Sequence, residues 1–150
     1  MNALNRKEFI RNCSATCMGL SVFSALLASC NEQFAPNAVI ENDQITLPLN
    51  SFEYVAKNQT RFRKHIVIQH DKLRFPICIF RYAEGNFKAL LMRCSHQGVE
   101  LKVNGDRLIC PAHGSTFNNQ GQVLTAPADK DLRELPLAIE QNNLIIKLKD

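Results

Sequence analysis

Two short clusters constrain this chain more than any other feature. Cys94-Ser95-His96 and Cys110-Pro111-Ala112-His113 each bring one cysteine and one histidine. Each follows directly on an apolar, β-type run, and Asn104-Gly105 between them is a strong two-residue hairpin signal. The four side chains are therefore expected at the tips of two neighbouring loops. A structural zinc finger segregates its ligands, with a cysteine pair in one loop and a histidine pair in another. Here both loops are mixed, Cys-x-His and then Cys-x2-His. Mixed loops suit a binuclear centre, in which one metal takes both thiolates and the other takes both imidazoles.

Beyond residue 44 the chain reads as short strands punctuated by turn residues. Residues 45–47, 52–55 and 65–69 have β-type composition, the last alternating as HIVIQ. Residues 77–82 and 87–92 flank Ala83-Glu84-Gly85-Asn86, and residues 99–103 and 107–109 flank Asn104-Gly105. Gln120-Gly121 precedes Val123-Leu124, and Asn142-Asn143 opens a closing strand over 144–148. Turns this closely spaced predict an all-β fold, an antiparallel sandwich or barrel. Only residues 129–135 are expected to form a helical turn. Arg61-Phe62-Arg63-Lys64 is basic, and such runs in loops are ordinarily solvated surface, with a docking site as the sharper alternative. A formal charge of +4, no Trp and two Tyr give little support to nucleic-acid binding.

The N-terminal segment reads as an address. Its basic head, Asn5-Arg6-Lys7-Glu8-Phe9-Ile10-Arg11, is followed by a stretch with no charged residue from Asn12 to Cys30. The head resembles the twin-arginine export motif, with Lys7 in place of the second arginine. Leu27-Ala28-Ser29-Cys30 resembles a bacterial lipobox, which implies cleavage and lipidation at Cys30. Residues 1–29 are then an export signal, 30–44 a polar, Asn-rich tether, and 45–150 the folded domain. The alternatives are an uncleaved N-terminal transmembrane anchor, although Asn12, Gly19 and several Ser and Thr dilute that run, and a plain cleaved or soluble form. Lipidation or an anchor places the domain at the cell envelope, facing the periplasm or exterior. Cys13 and Cys17 leave with the signal, and Cys78 lies in an apolar run where an inert buried thiol is usual. Cys94 and Cys110 alone remain for chemistry.

The residues around the two clusters resemble the Rieske 2Fe–2S family. Cys94-Ser95-His96-Gln97-Gly98 is similar to its first cluster-binding box, and Cys110-Pro111-Ala112-His113-Gly114-Ser115-Thr116-Phe117 to its second. Gly121 to Ala128 is similar to the family's continuation, in which a proline-bearing loop covers the cluster. The resemblance is tight over about residues 90–128, the expected cluster-binding subdomain. It implies one 2Fe–2S cluster per chain, with Cys94 and Cys110 on the buried iron and His96 and His113 on the outer one. Gly98 and Gly114 are expected where a Cβ would crowd the cluster. Histidine ligation leaves the oxidised centre neutral, because two thiolates balance the +2 core, and this raises the potential into about −150 to +300 mV.

Departures from the family pattern narrow that range. The quinol-oxidising members carry an extra cysteine in each loop, joined as a disulfide; here Val99 and Ala112 stand at those positions. Those members also direct a serine and a tyrosine hydroxyl at cluster sulfur; Ser115 keeps the first, and Phe117 cannot supply the second. An intermediate potential is expected. The function this implies is one-electron transfer with a redox protein or membrane complex, and not catalysis by this chain. A complete ring-hydroxylating oxygenase needs a further iron domain, whereas the segment from Gly114 to Asp150 is short and lacks histidine. The alternatives are the iron–sulfur subunit of a quinol-oxidising complex and the ferredoxin component of an oxygenase system. A structural zinc site on the same four residues is disfavoured by their mixed spacing.

Overall fold

Fourteen short strands, all paired antiparallel, make up the part of the chain described by a computed structural model, residues 37–149. Residues 1–36, with the signal-like segment, Cys30 and most of the tether, lie outside the described residues. One sheet holds β1 (Val39–Glu41), β2 (Gln44–Pro48), β14 (Asn143–Lys147) and β13 (Leu137–Glu140), in that order. A second holds β12 (Glu134–Leu135), β7 (Phe87–Leu91), β6 (Ile77–Arg81) and β5 (His65–Ile68). A third holds β11 (Val123–Thr125), β10 (Thr116–Asn118), β9 (Arg107–Ile109) and β8 (Lys102–Asn104). The hairpin of β3 (Glu53–Ala56) and β4 (Gln59–Phe62) pairs with no other strand. The fold is all-β, as expected.

The second sheet lies between two cores of the described domain, and its sequence shows why. Side chains alternate across a strand, so successive residues feed opposite faces. On β6, Ile77 and Ile79 enter one core, and Cys78 and Phe80 enter another. On β5, Ile66 and Ile68 join the first core and Val67 the second; on β7, Ala89 joins the first and Leu90 the second. The first core is completed by Ile45, Leu47, Leu144 and Ile146 from the outer sheet. The second is completed by Leu101, Leu108, Phe117, Cys94 and Cys110 from the third sheet and its loops. A strand covered on both faces reads as a continuous apolar run, which is how ICIF at 77–80 looks.

Several elements differ from expectation, each for a local reason. Val39–Glu41 lies inside the expected tether, yet it pairs with β2 and buries Ile40. Asn42 and Asp43 take positive φ (47° and 59°), and residues of this type tolerate the left-handed conformation that a tight two-residue turn needs. Residues 129–135 form no helix. Leu132 N–H donates to Gly121 O (2.8 Å), Leu91 N–H donates to Arg133 O (3.0 Å), and Glu134–Leu135 pairs with β7. The Leu132/Leu135 spacing mimics a helical face, but the segment is extended along the middle sheet's edge. Phe52 belongs to a short 3-10 turn before β3 and buries its ring against Phe87, 5.1 Å between centroids. The hairpin after β8 turns at Gly105-Asp106, one residue later than expected, because the positive φ falls on Gly105 (64°). The basic cluster is partly strand: Arg63 lies over the Tyr54 ring (5.2 Å), and Arg81 over Phe62 (4.2 Å).

Candidate metal centre

The two Cys/His loops share one backbone design. In the first, Cys94 N–H donates to Val99 O (2.8 Å) and Gly98 N–H donates to Cys94 O (2.8 Å). In the second, Cys110 N–H donates to Ser115 O (2.8 Å) and Gly114 N–H donates to Cys110 O (3.0 Å). Each loop therefore opens at its cysteine, closes five residues on, and places a glycine at the fifth position. Gly98 and Gly114 have φ of +70° and +77°, where any residue with a Cβ is strained. That conformation is what demands glycine. A Cβ at Gly114 would meet no protein atom within 4 Å, and one at Gly98 would meet the Arg93 guanidinium at 3.0 Å.

The four side chains form two pairs, sorted by depth. Cys94 and Cys110 are buried, at 2% and 1% exposure, in the second core. Burial alone would push the Cys110 thiol up. The N–H groups of Ala112 and His113 and the Cys94 thiol donate to its sulfur, and the net direction is down. Cys78, buried in the same core without such donors, is pushed far up into an inert thiol. His96 and His113 are exposed, with ring centroids 5.1 Å apart and edge to face. Among the described residues, no three His, Cys, Asp or Glu side chains gather about a single ion position. A two-plus-two donor set, thiols inside and imidazoles outside, matches a two-metal centre with unlike ligands.

The residues expected to tune such a centre are also at hand. Ser115 is fully buried, and its Oγ accepts the Ala128 N–H at 3.0 Å, which leaves the hydroxyl hydrogen to be donated elsewhere. Phe117 is fully buried in the same core as both thiols. Ser95 Oγ donates to Lys130 O (2.6 Å), tying the first loop to the segment that follows Pro127. Val99 is half-buried and Ala112 exposed, and Cys78, Cys94 and Cys110 are free thiols. Sequence reasoning missed two features. The shared Cys-x3-Gly spacing of the loops was visible in the residues and announces the repeated turn. Arg93, which contacts the Gly98 position and lies 5.6 Å over Phe75, carries no such signal.

Comparison with known proteins gives this geometry its relatives. A family model described as the Rieske [2Fe-2S] domain matches residues 51–136. A cytochrome b6-f complex iron–sulfur subunit of Prochlorococcus marinus (strain MIT 9303) is 33% identical over 55 residues, covering 35% of this chain and 31% of the relative. The chloroplastic iron–sulfur subunit 1 of the same complex in Nicotiana tabacum is 44% identical over 41 residues, covering 26% of this chain and 18% of the relative. The chain thus matches less than a third of the length of these curated relatives. Among solved structures, the plasma membrane Rieske protein PetC3 from Synechocystis PCC 6803 is similar at 25% identity and a TM-score of 0.48, covering 56% of this chain and 86% of that one. The quaternary ammonium Rieske monooxygenase CntA is similar at 21% identity and a TM-score of 0.48, covering 58% and 28%.

Proposed function

Because the chain belongs to the Rieske [2Fe-2S] domain family, we propose that it is a one-electron carrier, with Cys94 and Cys110 on the inner iron of its cluster and His96 and His113 on the outer iron. The sorting of the donors by depth carries this reading: two buried thiols touch each other and two exposed imidazole rings pack edge to face. The cluster supplies a one-electron couple when bound. The Ala112 and His113 N–H groups favour the Cys110 thiolate that metal binding needs. The exposed rings of His96 and His113 stand on the solvent side of the site, where a redox partner can approach. Ser115 contributes a buried hydroxyl donor, and Phe117 withholds one.

The partner is a redox protein or membrane complex, a reading supported by relatives that are subunits of cytochrome b6-f complexes. Membership of a quinol-oxidising complex is the second reading, favoured by the same relatives and opposed by Val99 and Ala112 in place of the paired cysteines. Attachment at the cell envelope through Cys30 rests on the signal-like residues 1–30. Among the described residues no helix is long and apolar enough to cross a membrane, and the anchor alternative concerns residues outside them.

Iron and acid-labile sulfide assays on the purified protein, with EPR of the reduced form, test the cofactor reading. A rhombic signal that disappears in Cys94→Ser and His113→Ala is expected; a colourless, zinc-loaded, EPR-silent protein overturns it. Cys30→Ser is expected to move the protein out of the membrane fraction, and unchanged partition overturns lipid attachment.

A further inference from the structure

A second site lies beside the first cluster loop. The segment between β5 and β6 folds over the end of the first core and leaves a cleft of about 320 Å³, within the small-molecule range. Its floor is apolar: Leu73, Phe75, Ile77, Leu91, Leu135 and Leu148. Among the described residues its rim carries Lys72, Arg74, Arg93 and Lys149 and the carboxylate of Asp43, with Arg133 donating to Leu148 O (3.5 Å). That carboxylate is already engaged by Lys149 Nζ at 2.7 Å. Cations on an open surface splay into water. Here the Arg74 and Arg93 guanidiniums each lie 5.6 Å from the Phe75 ring centre, which holds both over the apolar floor.

We propose that this cleft binds a small organic anion with an apolar body, such as a single-chain carboxylate, its head among Lys72, Arg74 and Arg93 and its body on the Leu73–Leu135–Leu148 floor. Lys72, Arg74 and Arg93, which have no carboxylate partner among the described residues, recognise the head, and the floor takes the hydrocarbon, so neither a bare inorganic anion nor a neutral lipid satisfies both. The site also touches the redox centre. Arg93 immediately precedes Cys94, and its Nε lies 3.0 Å from the position of a Cβ on Gly98. Negative charge placed beside Arg93 opposes the arrival of an electron in the adjoining loops, so the oxidised protein binds the anion more tightly than the reduced one. This coupling, unlike the binding itself, rests on reading 94–98 as a cluster loop.

Titration calorimetry of the full, cluster-loaded chain with sub-micellar decanoate tests the site. Saturable one-site binding is expected, with acetate and 1-decanol each bound at least tenfold more weakly. Lys72→Gln with Arg74→Gln should weaken decanoate at least tenfold, whereas the charge-matched pair Lys57→Gln with Arg61→Gln on the β3–β4 hairpin should leave it within twofold. No saturable binding, equal loss in both pairs, or acetate binding as well as decanoate overturns the proposal. Co-sedimentation with phosphatidylglycerol vesicles that needs Lys72 and Arg74 assigns the anion to a lipid surface; decanoate binding without it assigns a free carboxylate, and either result keeps the site. Voltammetry supplies the coupling: roughly threefold tighter binding to the oxidised form lowers the potential by about 28 mV at saturation. An unmoved potential with intact binding overturns the coupling alone. Decanoate binding by a protein that is isolated colourless, zinc-loaded and EPR-silent overturns the electron-carrier reading and leaves the site standing.

Discussion

Ser115 and Phe117 lie two residues apart where the second loop runs into β10, and they treat polarity in opposite ways. Ser115 is fully buried and its oxygen already serves Ala128 N–H, so its remaining hydrogen is the one movable donor at that point. Replacing it with Ala strands a buried N–H, at a cost of about 1–3 kcal/mol. On the proposed assignment the same change also removes a donor directed at cluster sulfur, which would favour the more negative reduced cluster. Ser115→Ala should therefore lower both the denaturation midpoint of the holoprotein and the reduction potential. A lowered midpoint with an unmoved potential would mean that the hydroxyl points away from the cluster. Phe117 packs in the core that holds both thiols and offers no donor. Phe117→Tyr should raise the potential measured by protein-film voltammetry, and an unchanged value would show that the ring edge does not reach cluster sulfur. Both residues could be picked out in the sequence as departures from or agreements with a family pattern. Their burial could not, because it depends on Leu90, Leu108 and Ala128 arriving from elsewhere in the chain.

At the level of elements, legibility followed the range of the cause. The hairpins and the two mixed loops were readable because turn residues and ligand spacing are local. Asn42-Asp43 and Lys57-Asn58 carry the same two-residue turn signal, with φ of 47° to 59°, and reading the first would have added β1 to the domain. The segment 129–135 was misread because what holds it is distant: β7 on one side and the Gly121 carbonyl on the other. Gly121 is the hinge of that arrangement. Its φ is +84°, and a Cβ there would lie 2.9 Å from Leu90 Cδ2 and 3.5 Å from Leu132 Cβ. Leu90 is fully buried and has no room to yield. Gly121→Ala should cost about 1–3 kcal/mol through strain and overpacking together. Thermal unfolding checks the cost. Leu90→Ala in the same chain should recover part of it as a favourable coupling energy, whereas simple additivity would locate the strain in the backbone alone.

The described domain is a middle sheet with a core on each face, and only one of those cores contains the candidate site. The first core is built from β1, β2, β5, β6, β7, β12 and β14 and is wholly hydrocarbon. The second depends on the two ligand loops, because Cys94 and Cys110 are themselves part of it. A cluster held as proposed would join those loops through metal, and the free energy of binding would become free energy of folding for whatever the loops hold in place. Removing iron with a chelator under reducing conditions should therefore loosen one face and not the other. Hydrogen exchange on the apoprotein should show faster exchange for the amides of β8 to β11 and both loops. The Cys94, Gly98, Cys110 and Gly114 amides, which close those loops, should lose protection first. Amides of β2, β14 and β6 should keep most of theirs, since their packing through Ile45, Leu47, Ile79, Leu144 and Ile146 needs no metal. Uniform loss across all three sheets would mean that the two cores unfold as one unit. Unchanged protection in β8 to β11 would mean that the second core stands on Leu101, Leu108 and Phe117 alone, with the cluster added to a face already formed.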